Sequence, residues 1–316
     1  MARSRIYFVT DVHGSSKCFR KFLNAAAFYK ADILVLGGDI TGKVMTPIVE
    51  DNGSFSCSYQ GAEVVMTGME EVHEFRKKAA DAGTYTHIVS PPEFEELKAD
   101  PEQVKQLFTK LMVERVQEWV SLAKERLGRT DVRCYISPGN DDLFDIDPVL
   151  SSSDYIVNPE ERVVEVDPGH EMITLGTTNH TPWNSPREVD EDVLAKKILD
   201  MADKVRRMGS AIFNIHVPPI DTPIDKAPRI DENLKIVVKA GNVEMTSAGS
   251  TACRAAITKY QPMLGLHGHI HESRGVAKLG RTLCANPGSE YAEGILRGFL
   301  ADLDGDRIKS YLLTSG

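Results

Sequence analysis

The chain is 316 residues long, 41% hydrophobic and 26% charged, an ordinary globular composition sufficient for one large domain or two small ones. Its net charge of −9 and pI of about 5.5 exclude stable nucleic-acid binding through a basic footprint, although bound metal ions would still make one cleft attractive to a small anion. Five dispersed cysteines without a CxxC pair argue against a disulfide framework and for a reducing cytoplasm, and no stretch approaches the length of a membrane span.

The basic tip and apolar run at the start are too short for a signal peptide and are interrupted by Asp11, so Arg5–Thr10 reads as the first strand. It ends in Asp11-Val12-His13-Gly14, with Asp11 and His13 two apart and able to point the same way off the strand end. The spacing of Phe19, Phe22, Leu23 and Ala26 predicts a helix over 16–29. Ile33–Leu36 is a second buried strand closed by Gly37-Gly38-Asp39. Strand, helix, strand without a hairpin signal predicts a parallel crossover, in which ligands gather at the carboxyl ends of the strands.

Residues 43–130 read as an insertion that caps or flanks the sheet. It holds a β-hairpin turning at Asn52-Gly53, a helix over 69–82 and a helical stretch over 94–127 broken near Asp100-Pro101. The hairpin, near Thr46 to Val65, would either cover the site or pair with another subunit, so a homodimer is open. A third strand, 132–138, ends in Gly139-Asn140-Asp141-Asp142. Strands at 162–166 and 172–175, a polar loop over 177–188 and a helix over 190–208 follow. His216 closes another apolar strand before Pro218-Pro219. Ser250 is the expected N-cap of a helix over 251–260, whose N-terminus would either hold an anion or be simply capped. Gly265–Gly275 then carries His267, His269 and His271 in alternation, on one face if the segment is extended. Three further strands are predicted near the end, the last two joined at Asp304-Gly305.

Asp11, His13, Asp39, Asn140, His216, His269 and His271 each follow an apolar strand. Two carboxylates, one amide and four imidazoles are too many for one tetrahedral zinc. They suit two divalent ions sharing a bridging carboxylate and a bridging water or hydroxide. Mixed nitrogen and oxygen ligands favour Mn, Fe or Zn over Mg or Ca. His267 is read as supporting the ligands rather than joining them.

DVH, GGD, GNDD, a lone His after a strand, and GHIH, in that order, resemble the calcineurin-like metallophosphoesterase superfamily, with its DxH, GD, GNH(D/E), H and GHxH blocks. The TPW…PRE loop and Asn286–Ser289 further resemble an Icc-like subgroup of predicted phosphoesterases. The resemblance implies an α/β fold: a four-layer α/β/β/α sandwich of two mixed sheets, here as a single domain over 1–316 with the insertion at about 43–130. It implies that Asp11, His13, Asp39 and His271 bind a first metal ion and that Asp39, Asn140, His216 and His269 bind a second, with Asp39 bridging. The implied reaction is hydrolysis of a small-molecule phosphoester by in-line attack of a metal-bound hydroxide.

One block departs from the pattern. Asp141 replaces the His that protonates the leaving oxygen or contacts the phosphate, and Asp142 matches the acidic residue that would orient it. An ionised Asp141 cannot donate a proton and would repel a phosphate, so it either turns away or is held protonated. A diester or activated substrate would best survive the loss. Asp141 and Asp142 are thus the candidate catalytic positions, and Asn140, Arg187 and Arg254 the candidate substrate contacts. The leading reading is a phosphodiesterase acting on a small or nucleotide-like substrate. A catalytically weakened binding module is the second, and a single-zinc hydrolase the third.

Overall fold

The computed structural model describes residues 3–239 and 241–316; the first two residues of the basic tip lie outside them. Strand β1 (Arg3–Val9), helix α1 (Ser16–Tyr29) and strand β2 (Ile33–Gly37) form the predicted parallel unit, Ile6 opposite Ile33 and Val9 opposite Leu36. The Ser15 hydroxyl accepts from the Cys18 amide and starts α1. Strands β3 (Val44–Asp51) and β4 (Ser54–Tyr59) are the predicted hairpin. Asn52 and Gly53 turn it with φ of 50° and 83°, the left-handed pair that suits the strand twist. The hairpin is not the whole of it: β5 (Ala62–Met66) and, after α2 (Met69–Asp81), β6 (Thr84–Val89) complete a four-stranded sheet. Helices α3 (Pro91–Ala99) and α4 (Pro101–Leu127) follow. They part at Asp100, whose carboxylate caps α4 by accepting from the Glu102 and Gln103 amides.

The chain continues through β7 (Arg133–Ser137), α5 (Asp147–Ser151), β8 (Val163–Asp167), β9 (His170–Leu175), β10 (Thr178–Asn179), β11 (Glu188–Val189) and α6 (Glu191–Ala202). Helix α6 is shorter than its expected span. Glu171 draws off the amides of Arg206 and Arg207 and the Arg206 guanidinium, so the charged segment beyond Asp203 leaves the helix. Next come β12 (Ile212–Ile215), β13 (Lys226–Pro228), β14 (Val238–Lys239), β15 (Asn242–Val243) and β16 (Met245–Ser247), of which β13 pairs with β16 and β14 with β15, and then α7 (Thr251–Tyr260). Strands β17 (Leu264–Leu266), β18 (Gly275–Leu279), β19 (Thr282–Asn286), β20 (Arg297–Asp304) and β21 (Arg307–Ser315) close the chain.

Two mixed sheets carry the core, in the orders β21-β20-β1-β2-β7 and β18-β19-β17-β12-β9-β8. Each has a parallel centre with antiparallel strands at one or both edges. The alternation of side chains along each strand sorts them between clusters. Ile6, Phe8, Ile33 and Val35 of the first sheet meet Met172, Ile212, Leu264 and Leu266 of the second in one cluster. The opposite faces take Tyr7, Val9, Leu34 and Leu36 to α1 and α4, and Ile173, Leu175, Phe213 and Ile215 to α6 and α7. Trp119 of α4 stacks on Phe19 of α1 with ring centroids 4.2 Å apart. The four-stranded sheet and α2 enclose a separate small cluster around Ile48, Phe55, Val72 and Phe75. All five cysteines are buried and unpaired, and among the described residues no helix is long and apolar enough to cross a membrane.

Candidate metal centre

The carboxyl ends of β1, β2, β7, β12 and β17 converge, and each is followed by a polar block. The backbone does not stay extended there. Asp11, His13, Asp39 and His269 have φ of 54°, 38°, 48° and 66°, a region L-residues enter at a cost and which clusters at functional sites. Asp11 and His13 therefore converge through a left-handed loop rather than by strand alternation. That loop is bonded to the one after β2: the Asp11 amide donates to Gly38 O, and the His13 amide to Asp39 O, both at 3.0 Å.

The expected alternation of His267, His269 and His271 does not occur, because β17 stops at Leu266. The Gly268 amide turns to His216 O at 2.8 Å and the Ile270 amide to Gly268 O at 2.7 Å. His269 and His271 reach the centre. His267 is buried, with Nδ1 donating to Ile215 O at 2.8 Å. Two glycines are required by close approach. A Cβ on Gly139 would collide with the Asp39 carboxylate, and one on Gly268 with Asp11 and Thr10.

The polar side chains form two adjoining groups, Asp11–His13–His271 and Asp39–His216–His269, each with ligand atoms close enough to hold a metal ion. His13 Nε2 and His271 Nε2 stand 3.0 Å apart. Two nitrogens bound at ~2.1 Å from one cation stand roughly 3.0–3.4 Å apart, depending on the angle between them. His269 Nδ1 and Asn140 Oδ1 face each other at 2.8 Å. Asp39 Oδ2 lies 3.8 Å from His13 Nε2 and 3.5 Å from His216 Nε2, between the two groups. Asp11 Oδ1 lies 3.3 Å from His271 Nε2 and 3.8 Å from His216 Nε2.

His216 gives the strictest test of whether a cation fits. Its Nδ1 donates to Gly37 O at 3.0 Å, which leaves the lone pair of the neutral ring on Nε2. Nε2 is buried, lacks a hydrogen-bond partner and faces both carboxylates. A lone pair aimed at two carboxylates is repulsive unless a proton or a metal ion lies between them, so the residues fit a cation. The titration shifts have the same origin. Burial opposes charge on His216, yet Asp39 and Asp11 pull its pKa up to about 10. Burial pushes Asp39 up to about 6 against the pull of His216. Burial also pushes the Asp11 carboxyl up, but His216, His271 and His13 together hold it well below the usual range.

Four other expected site features have different surroundings. Asp142, expected at a catalytic position, is fully buried with both carboxylate oxygens occupied. Its carboxylate accepts from the amides of Ile40 (3.0 Å), Thr41 (2.8 Å) and Gly139 (2.8 Å) and from the Thr41 hydroxyl (2.5 Å), tying the loop after β2 to the loop after β7. Arg187 is buried and committed to Asp147 at 2.6 Å, Asp142 O at 2.7 Å and Leu143 O at 3.1 Å. Arg254 donates to Ile220 O at 2.6 Å and Asp221 O at 3.1 Å. The Arg187 guanidinium is committed on all three nitrogens, whereas among the described residues only Nη1 of Arg254 is engaged. The N-terminus of α7 is likewise filled, because Glu191 accepts the amides of Thr251 and Ala252 at 3.0 and 2.8 Å. It is a capped helix and not an anion site.

Asp141 lies at the centre and is ionised. Burial would raise its pKa, but the ion pair with Lys43 brings it down to about 2. The Ser185 hydroxyl, from the polar loop, donates to its other oxygen at 2.5 Å. Lys43 is the residue that the sequence reading missed. Its only signal was a lone cation four positions after Asp39, in Thr41-Gly42-Lys43. Tyr291 was also missed; its ring packs on His13 at 4.8 Å. The Asn286–Ser289 segment supports the centre from behind: Asn286 Nδ2 donates to Ile270 O at 2.9 Å and Ser289 Oγ to Asp11 O at 2.6 Å. Beside His271 a cleft of about 430 Å³ opens, lined by Arg274, Ser289, Glu290, Tyr291 and Arg297.

No protein-family model matches the chain. A curated relative, the uncharacterized protein MJ1162 of Methanocaldococcus jannaschii, is 26% identical over 152 residues, 48% of this chain and 61% of that one. The match thus spans less than two thirds of the relative's length. A solved structure matches 99% of both chains at 16% identity and a TM-score of 0.59. TT1561 of Thermus thermophilus matches over 100% of this chain and 99% of that one, at 14% identity and a TM-score of 0.54. A dimetal phosphatase from Danio rerio matches over 98% of both chains at 9% identity and a TM-score of 0.46, too loose a likeness to carry an argument. The fold is similar to those of the first two of these solved structures. At these identities the likeness is one of fold; any activity has to be argued from the centre itself.

Proposed function

We propose that the chain is a metallophosphoesterase that holds two divalent metal ions and hydrolyses phosphoesters, with phosphodiesters of small or nucleotide-like substrates favoured. The observation that carries this reading is the pair of adjoining His–Asp groups with Asp39 between them, close to both. Asp11, His13, Asp39 and His271 would hold one ion, and Asp39, Asn140, His216 and His269 the other. When bound, such ions supply the nucleophile at neutral pH and neutralise the charge developing on the phosphoryl oxygens.

The chain's own residues do the rest. Gly37 O fixes the His216 ring through Nδ1, and Asp142 clamps the loop that carries Asp39. Asp141 is ionised and paired, so it cannot protonate a leaving oxygen. Diesters and substrates with acidic leaving groups are therefore favoured over alkyl monoesters. The pairing with Lys43 also offsets the repulsion that a bare Asp141 would exert on a phosphate. The missing His still favours a weakened binding module as the second reading, and the grouped Asp and His side chains oppose it.

The test is hydrolysis of bis-p-nitrophenyl phosphate, beside the monoester, by Mn²⁺-loaded protein with Asp39→Asn as control. Turnover of the diester that vanishes in the variant supports the reading. The absence of turnover from protein holding two metal ions would refute it.

A further inference from the structure

One charged group at the centre, Lys43, has no part in holding metal ions. It sits where β2's loop turns into β3, and its side chain is 47% exposed while Asp141's is 18%. Lys43 is therefore the more accessible member of an ion pair at the rim of the centre. Asp141, to which it is paired, donates its amide to Asp39 Oδ1 at 3.0 Å, and its carboxylate lies within one cluster with His13 and Asp39. Lys43 thus faces the same space as the metal-ligand atoms. Asp141 is held from three directions, by Lys43, by Ser185 Oγ at 2.5 Å and by Asn140 Nδ2 at 3.1 Å.

We propose that Lys43 binds a non-bridging phosphoryl oxygen of the substrate and that Asp141 is a positioning residue that stores the ammonium group at the rim until a phosphate replaces it. This deepens the proposed function and rests on it. The chemistry is that of a compact point charge with rotatable donors, well matched to a single phosphate oxygen. Asp141 does not itself make that contact, because one of its oxygens is paired with Lys43 and the other accepts from Ser185 and Asn140. Ser185 and Asn140 keep Asp141 anchored when Lys43 leaves, so the swing is confined to a flexible, half-exposed lysine. The structure thereby splits one imidazole's task between two residues: a cation for the phosphate, and an anion that sets where the cation waits.

Asp141 also lies within reach of His13 and Asp39 as a possible third metal group. If it were a ligand, the ion pair would be incidental. The two arrangements separate by experiment. The affinity of inorganic phosphate is measured by calorimetry on Mn²⁺-loaded protein, and bound Mn²⁺ is counted for every variant. Lys43→Met should weaken phosphate binding about 10-fold or more, the size of one charge-assisted hydrogen bond, with Mn²⁺ content unchanged. Asp141→Asn should tighten phosphate binding several-fold, because it removes the competitor for the ammonium; a merely structural Asp141 would not do so. Placing Asp141→His in the Lys43→Met background should restore part of the lost affinity.

Phosphate affinity within twofold of wild type in Lys43→Met would overturn the proposal, as would loss of Mn²⁺ from Asp141→Asn or absence of phosphate binding to wild type. Lys43-dependent phosphate binding without any diester hydrolysis would uphold the Lys43 contact and refute the proposed hydrolysis, so the two failures are distinguishable.

Discussion

Replacing Asp142 by Ala tests whether that residue is a clamp or a catalyst. In the clamp account the carboxylate accepts three backbone amides and one hydroxyl in a fully buried position. Alanine leaves the amides of Ile40, Thr41 and Gly139 without an acceptor, at about 1–3 kcal/mol each before relaxation. The wild type already bears a cost for burying the carboxylate, seen in its raised pKa, and recovers that cost on substitution. A net loss of about 3–5 kcal/mol remains. This is a large share of the roughly 5–15 kcal/mol that stabilises a typical domain, and it lowers Tm by on the order of 10 °C. Asp142→Asn keeps one acceptor oxygen and should lose about half as much. The assay is thermal unfolding of metal-free protein, with Mn²⁺ titration of the folded protein alongside, since the Ile40–Thr41 backbone adjoins Asp39. A Tm within about 2 °C of wild type in Asp142→Ala, together with a lost limb in the pH–rate profile, would refute the clamp and restore a catalytic role.

Gly268→Ala drives a methyl group into Asp11 and Thr10, so it should lower the bound Mn²⁺ per chain while leaving far-UV circular dichroism unchanged; full metal content would contradict the close-approach argument. Across a series of aryl phosphodiesters the rate should fall steeply as the leaving-group pKa rises, since Asp141, paired with Lys43, is not a donor to the leaving oxygen, and a flat dependence would contradict this. Away from the centre, burial would raise the Asp167 carboxyl, but hydrogen bonds from His170, Ser4 and Gly169 bring it down to about 2. A depressed folded-state pKa stabilises the native state above the unfolded value of ~3.9 and is lost as pH falls through the folded one. The stability gap between wild type and Asp167→Asn should therefore be full above about pH 4 and close towards pH 2; a gap that is constant with pH would refute this.

Much of this could be read in the sequence because strand ends are local signals. The apolar runs before Asp11, Asp39, Asn140 and His216 marked four parallel strands, and the polar blocks after them marked the edge where the centre lies. Asn52-Gly53, Asp100-Pro101 and Ser250 fixed their turn, break and cap through chemistry within a few residues. What escaped was non-local or backbone-encoded. The left-handed turns at Asp11, His13, Asp39 and His269 are imposed by contacts between loops far apart in the chain, so alternation described those histidines wrongly. Strand β6 escaped because its pairing partner, β3, lies across an intervening helix. Arg187 and the N-terminus of α7 looked available only because their partners, Asp147 and Glu191, are distant in sequence. Lys43 was invisible for the same reason, since a lone lysine acquires meaning only when Asp141 is folded against it.

The central claim is that two metal ions held by the Asp–His groups hydrolyse a phosphodiester. The most direct measurement is Mn²⁺ stoichiometry together with bis-p-nitrophenyl phosphate turnover, for wild type and Asp39→Asn in one preparation series. The account predicts two ions per wild-type chain with turnover, and loss of both an ion and the turnover in Asp39→Asn. Hydrolysis that survives Asp39→Asn, or a wild type that holds two ions and leaves the diester intact, would contradict it.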